Sequence, residues 1–209
     1  MKIAMLLYDG FTALDAIGPY EVLRQLPGAQ IEFVGEKRGE VVADSKVLRL
    51  VVSRSICETG ATDVLVVPGG PGSRDLRTRE PLISWIREIH QTTQWTTSVC
   101  TGAILLGLAG LLDGIEATTH WAFVGDIVQL GAIPVAQRFV RSGKIITAAG
   151  VSAGIDMALW LAGQIAGADV AERIQLALEY HPQPPFDSGV PERARSEIKA
   201  AVAVRLSQS

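Results

Sequence analysis

The segment from Thr96 to Leu112, T-T-S-V-C-T-G-A-I-L-L-G-L-A-G-L-L, joins two elements of opposite kind with almost no spacer. Trp95 to Val99 is short, aromatic and β-branched, as a buried strand should be, and Gly102 to Leu108 is apolar throughout, as suits a buried helix. A fully buried strand running straight into a helix belongs to an α/β architecture with a parallel sheet. Cys100 stands at the turn. Its small or β-branched neighbours Ser98, Thr101 and Gly102 permit a sharp elbow that lifts one side chain above the sheet edge into a cleft. The helix behind it offers free N–H groups and the positive end of a dipole. Both lower a thiol pKa and make the sulfur a nucleophile at neutral pH. The alternative is a small thiol packed in the core.

The rest of the chain repeats this alternation. Ile3 to Leu7 reads as a strand and Asp9-Gly10 as a turn, and a helix opened at Thr12 or Asp15 carries Ile17, Val22, Leu23 and Leu26 as far as Pro27-Gly28. Ile31 to Val34 is a second strand. Val41 to Ala43 and Val47 to Val52 alternate with polar residues and predict a hairpin arm on one edge. Val64 to Val67 is a third buried strand ending in P-G-G-P-G, Pro68 to Gly72, whose glycines admit positive φ and let backbone N–H groups face a ligand. Glu80-Pro81 starts a helix that runs to His90. Beyond the elbow, Ala117 to Thr119 predicts a short strand, Trp121 to Leu130 a helix ended by Gly131, and Phe139 to Arg141 with Ile145 to Ala148 a hairpin or a paired edge. Helices follow over Ile155 to Ile165 and Asp169 to Leu178. The proline-rich run His181 to Phe186 reads as an extended arm, and Pro191 to Leu206 as an amphipathic helix with Glu192, Arg195 and Lys199 on its wet side. The expected fold is α/β: a doubly wound, mostly parallel, flavodoxin-like sheet flanked by helices, with a C-terminal arm and helix over residues 181–209.

At 209 residues, 48% hydrophobic and 20% charged, the chain has material for one core, and residues 1–209 are expected to form a single domain. A net charge of −3 gives no electrostatic reason for nucleic acid or an anionic membrane surface as partner, which points to a small-molecule substrate. The apolar run Met1 to Tyr8 stops at Asp9-Gly10 and lacks a leader's cleavage site, and no run reaches the roughly eighteen apolar residues of a membrane span. A cytoplasmic location is expected. Cys57, in R-S-I-C-E-T, has no elbow around it and is read as structural; a disulfide with Cys100 is not needed by a chain of this size.

In a doubly wound sheet, ligands bind beyond the carboxyl ends of the strands. The loop after the first strand, the P-G-G-P-G loop and the Cys100 elbow should converge there. The first contributes Asp15, flanked by Leu14, Ala16 and Ile17. Desolvation by such neighbours, together with a nearby thiolate, raises a carboxyl pKa and favours a proton donor; the alternative is a first-turn acid or helix cap. His90 and His181 are assigned no chemistry. No His/Cys/Asp spacing suggests a metal, and the glycines match neither a P-loop nor G-x-G-x-x-G, so no metal, nucleotide or other cofactor is expected.

Four segments, T-S-V-C-T-G, P-G-G-P-G, A-T-T-H-W (Ala117 to Trp121) and G-V-S-A-G-I-D (Gly150 to Asp156), resemble the ThiJ/PfpI superfamily of class I glutamine-amidotransferase-like folds, over nearly the whole chain. Within it, L-D-A-I-G-P (Leu14 to Pro19), T-S-V-C-T-G and L-E-Y-H-P-Q-P-P-F (Leu178 to Phe186) are most similar to the isocyanide hydratases. That group adds water to an isocyanide carbon to give an N-substituted formamide, without metal or organic cofactor. The resemblance implies Cys100 as nucleophile and Asp15 as the acid hydrogen-bonded to it, where most of the superfamily carries glutamate. Thr101 would orient Asp15 or substrate. It also implies an oxyanion hole of N–H groups near Gly70 and Thr101, substrate contacts from Gly69, Gly70, Gly150 and His120, and a homodimer. The pocket should be small and partly apolar, suiting an uncharged isocyanide with a hydrocarbon tail.

Proteolytic and amidotransferase relatives pair the cysteine with a histidine, often directly after it. Thr101 holds that position here, and His120 is either a partner from elsewhere in the fold or structural. Two alternatives stay open. One is an amidase, glyoxalase or deglycase using Cys100. The other is a sensor: segments similar to A-T-T-H-W and S-V-C-T-G occur in the ligand-sensing halves of AraC-type regulators. Only about thirty residues follow Tyr180, too few for a helix-turn-helix module, which leaves a stand-alone thiol redox sensor.

Overall fold

The computed structural model describes residues 1–78 and 80–208; Arg79 and Ser209, the last residue of the expected arm, lie outside it. In chain order the strands are β1 (Lys2–Leu6), β2 (Gln30–Gly35), β3 (Gly39–Val42), β4 (Arg49–Val52), β5 (Arg54–Ser55), β6 (Val64–Val67), β7 (Trp95–Val99), β8 (Glu116–Ala117), β9 (Ile133–Pro134), β10 (Phe139–Ser142) and β11 (Ile145–Ala148). The helices are α1 (Ala13–Leu23), α2 (Glu80–His90), α3 (Gly102–Leu108), α4 (Val124–Gln129), α5 (Ala153–Ala166), α6 (Ala168–Ala177) and α7 (Ser196–Gln208).

Seven strands form the central sheet in the order β10-β11-β7-β6-β1-β2-β5. Every pairing in it is parallel except the edge hairpin of β10 with β11. The pleat puts successive side chains on opposite faces. Ile3 and Met5 of β1, with Val64 and Val66 of β6, pack on one side with Val22 and Leu23 of α1 and Met157 and Leu161 of α5. Ala4, Leu6, Leu65 and Val67 pack on the other, against Leu82 and Ile86 of α2 and Ile104 and Leu105 of α3. Near-continuous apolar strands are what a sheet covered on both faces requires.

The chain runs outward from β1 to β2 and then returns to β6 on the other side of β1, so the order reverses there. At such a reversal the following loops part and leave a crevice at the carboxyl edge. The register Leu65↔Thr96, Val67↔Ser98 and Val99↔Ala148 sets the ends of β6, β7 and β11 side by side.

Several expectations need adjustment. The hairpin arm exists but stands apart as a two-stranded sheet of β3 and β4, and the main sheet ends in the two-residue β5 instead. The helix expected over Trp121 to Leu130 is broken into a 3₁₀ turn, Trp121–Phe123, and the short α4, because His120 Nδ1 accepts the Ala122 N–H and fixes a tighter first turn. The C-terminal helix begins at Ser196 rather than Pro191, since the N–H groups of Arg193 and Ala194 both close on the Val190 carbonyl in a local turn. It is not buried along one stripe: Val202 and Val204 are exposed. Cys57 is a free, exposed thiol and packs in no core. Among the described residues, no helix is long and apolar enough to cross a membrane.

Candidate active site

Loops from the carboxyl ends of β1, β6, β7 and β11 meet above the sheet. Cys100 sits there with φ 56°, the left-handed conformation that a non-glycine residue adopts only under constraint. The constraint is visible. Its N–H lies 3.1 Å from the Ala148 carbonyl and 2.9 Å from that of Ala149, while Thr119 Oγ1 donates to its carbonyl at 2.7 Å. The side chain is held up as the elbow reading expected.

Its electrostatics differ from that reading. The N–H groups of Thr101 and Val151 and the Thr101 hydroxyl all favour the anionic sulfur, yet burial first and the charge of Asp15 second push the Cys100 thiol up. α3 is seven residues long, and its N-terminus does not compensate for a site excluded from water. Burial thus works against the thiolate that the elbow was expected to favour.

Asp15 lies beside the sulfur. It is completely buried, though not by its chain neighbours: Leu14 is 40% exposed, because adjacent helical residues point different ways. The P-G-G loop buries it. Gly69 N–H donates to Asp15 Oδ2 at 2.9 Å, and a Cβ on Gly69 would stand 2.5 Å from Thr101 N and 3.0 Å from that same oxygen. Asp15 Oδ1 is buried with no conventional hydrogen-bond partner, and Cys100 is the side chain that interacts with the carboxyl. Burial, against the Gly69 N–H, pushes the Asp15 carboxyl up to about 7, with the charge of Asp44 adding to the shift. Tyr8, which sequence reasoning passed over, lies under both groups. Its hydroxyl donates to the Pro68 carbonyl at 2.7 Å, and burial followed by the charges of Asp15 and Cys100 raises its own pKa, keeping it a neutral phenol.

Thr101 fastens the two loops together. Its Oγ1 accepts the Gly70 N–H at 2.8 Å and the Ser73 hydroxyl at 3.1 Å. The N–H groups of Gly69 and Gly70 are thus spent inside the fold, so the expected ligand-facing glycine amides are replaced by those of Thr101 and Val151, aimed at the sulfur. Gly70 is needed for another reason: at φ 131°, a Cβ there would stand 2.4 Å from the Gly10 carbonyl oxygen.

A cavity of about 80 Å³ lies over Cys100, lined also by Thr101, Gly70, His120, Val151 and Arg74, with Phe123 and Leu206 on its outer wall. His120 thus belongs to the site, and burial lowers its pKa, so it stays neutral. Its Nδ1 accepts the Ala122 N–H at 3.2 Å, which leaves the ring proton on Nε2. Gly69 and Gly150 do not line the cavity. Gly150 leaves room for His120, whose Cδ2 would be 2.8 Å from a Cβ there. Val151, with φ 31°, is the residue of that loop that reaches the sulfur. Among the described residues, no group of three or more His, Cys, Asp and Glu is placed to hold a metal ion.

Residues 1–164 match the model of the DJ-1/PfpI family. The chain belongs to that family. Within it, the chain is 43% identical over 198 residues to an isonitrile hydratase of Pseudomonas putida, covering 95% of this chain and 86% of that one; isonitrile is another word for isocyanide. A ThiJ/PfpI family protein from Pseudomonas syringae has the same structure, with a TM-score of 0.95 at 33% identity over 99% of this chain and 86% of its own. The more distant Schizosaccharomyces pombe DJ-1, at 21% identity over 87% of this chain and all of its own, shares the fold with a TM-score of 0.76.

Proposed function

We propose that this DJ-1/PfpI protein is an isocyanide hydratase in which Cys100 is the nucleophile and Asp15 the acid. The observation that carries the proposal is the buried Asp15 carboxyl. One oxygen is pinned by the Gly69 N–H, the other is unpartnered beside Cys100, and the pKa of about 7 lets it hold a proton at neutral pH. Relatedness to the Pseudomonas putida isonitrile hydratase supports the same reaction.

The Cys100 thiolate attacks the terminal carbon of R–NC, forming a C–S bond and leaving a lone pair on that carbon. The Asp15 proton goes to it, giving the thioimidate R–N=CH–S–Cys100. The Asp15 carboxylate then takes a proton from water as the oxygen adds to the same carbon. Breaking the C–S bond returns the thiolate, the nitrogen receives the second water proton, and R–NH–CHO leaves. Charge in the first step develops on carbon, next to the acid, and not on oxygen. Amide hydrolysis instead needs donors waiting for an oxyanion. Here the candidate donors are already engaged, Gly69 N–H with Asp15 and Gly70 N–H with Thr101. The roles of Thr101 and Val151 are to position the Gly70 loop and to hold the sulfur.

The test is direct turnover. With the small isocyanide methyl isocyanoacetate, the wild-type protein should produce the N-formylglycine methyl ester, while Cys100→Ala, which keeps the fold, should produce none. Formamide at equal rates from both would remove Cys100 from the reaction.

A further inference from the structure

The cavity over Cys100 is built of two unlike sides. The reacting side is Cys100 with the main chain of Thr101 and Val151, whose N–H groups face the sulfur, and the Asp15 carboxyl is buried beside that sulfur without lining the cavity. The other side is side chain, and it holds the one cationic side chain that lines the cavity, Arg74, since His120 stays neutral. Its guanidinium lies 5.2 Å over the ring of Phe123, and its Nη2 donates to the Leu206 carbonyl of α7 at 2.6 Å. Among the described residues, no carboxylate lies within ion-pair distance of it.

A guanidinium carries five N–H donors in a rigid fork that fits a carboxylate with two parallel bonds. One donor of Arg74 is committed to Leu206, and the Phe123 ring lies 5.2 Å from the guanidinium carbon. A half-buried cation already held in one orientation loses little freedom on meeting an anion. Nothing at the reacting end calls for it, because the developing charge there is met by the Asp15 proton. Its complement is a negative group at the far end of the ligand. Size agrees: about 80 Å³ holds roughly six water-sized groups, enough for an isocyano group, one or two carbons and a carboxylate.

We propose that Arg74 is a specificity-determining residue and that the substrates are short isocyanides bearing a carboxylate, which the Arg74 guanidinium grips while the isocyanide carbon faces Cys100. This rests on the hydration reading and replaces the hydrocarbon-tailed substrate expected from the sequence.

Iodoacetate and iodoacetamide are a matched pair of thiol reagents that differ in charge, and their reaction at Cys100 needs no hydratase activity. The iodoacetate to iodoacetamide rate ratio at Cys100, relative to mercaptoethanol, should be at least about tenfold higher in the wild type, the low end for a charge-assisted hydrogen bond. Arg74→Gln keeps an N–H donor for Leu206 but removes the charge, and the ratio should fall to that of the free thiol. In parallel, the kcat/KM ratio of isocyanoacetate to methyl isocyanoacetate should fall by a similar factor in the variant, through KM. If Arg74 only docked α7, Arg74→Gln would change both members of each pair alike. Unchanged ratios therefore overturn the proposal while leaving hydration standing. A charge-dependent alkylation ratio with neither isocyanide hydrated overturns hydration and the isocyanide assignment, leaving a carboxylate site.

Discussion

Asp15 and Cys100 are buried together, and their protons are best counted as a pair. At low pH both groups are protonated. The first proton leaves as pH passes about 7, where the Asp15 carboxyl titrates, and one proton then serves an oxygen and a sulfur. The reactive arrangement, proton on oxygen and charge on sulfur, exists only in that state. Alkylation of Cys100 by iodoacetamide should therefore rise through an inflection near pH 7 and flatten above it. In Asp15→Asn the inflection should move into the alkaline range, and isocyanide turnover should fall at least about a hundredfold, the low end for acid–base catalysis. An unmoved inflection would assign it to another group. The same burial has a cost in stability. Asp15 titrates at 3.8 unfolded and about 7 folded, so the folded state binds the extra proton in this window. Stability present below about pH 4 is lost as pH rises to 7, by on the order of 4 kcal/mol. Urea melts at pH 4 and 7.5 should show Asp15→Asn gaining on the wild type by about that amount. At this scale, the positive-φ turn at Cys100 was legible because strand, turn and helix adjoin in the chain, whereas the burial of Asp15 comes from the distant Gly69 loop and not from the flanking residues that suggested it. Val151 was hidden beside Gly150: the family resemblance pointed to the glycine as a substrate contact, yet the positive φ and the N–H facing the sulfur belong to the valine. Tyr8 and Arg74 enter the site only through tertiary folding, and no spacing in the sequence announces them.

The strands and their loops explain why the site holds its shape. Thr101, at the end of β7, uses its hydroxyl as an acceptor for Gly70 N–H and Ser73 from the β6 loop. Replacing it by valine keeps the bulk and orphans a buried N–H. Thr101→Val should lose about 1–3 kcal/mol of stability in urea unfolding, whereas Thr101→Ser should retain most of it. Equal stability of the two would reduce Thr101 to packing. The buried strands, α2 and the edge hairpin of β10 and β11 were readable because each is specified by its own periodicity. Element ends were less so. α7 starts where a turn at Val190 releases the chain, and the helix after His120 is broken by a side-chain cap, and both depend on partners outside the segment.

As a whole, the molecule places two apolar layers around one sheet and gathers its chemistry at a single edge. Parallel alternation made that layout legible from sequence alone, since buried strands joined by crossover helices close in few ways. Away from this edge, the β3–β4 ribbon packs Val52 and the adjoining Ala43 into the core but leaves Val51, and Val47 in its connecting loop, 60% and 82% exposed. Exposed apolar side chains grouped on one ribbon are candidates for burial against a second copy. Together with the homodimer implied by the family resemblance, this leads us to expect sedimentation equilibrium at twice the 22.3 kDa chain mass; a monomer at micromolar concentration would rule that out. The division of the cavity into a main-chain floor and a side-chain wall also governs how the protein can change. The floor and the glycines packed behind it leave almost no mutational freedom, since any side chain at Gly70, which lines the cavity, or at Gly69 and Gly102, which do not, would collide with backbone atoms. The wall of Arg74, Phe123 and Leu206 carries no such restriction. New substrate ranges should therefore arise, in nature or in a laboratory library, by exchange at those three positions while the reaction itself stays fixed.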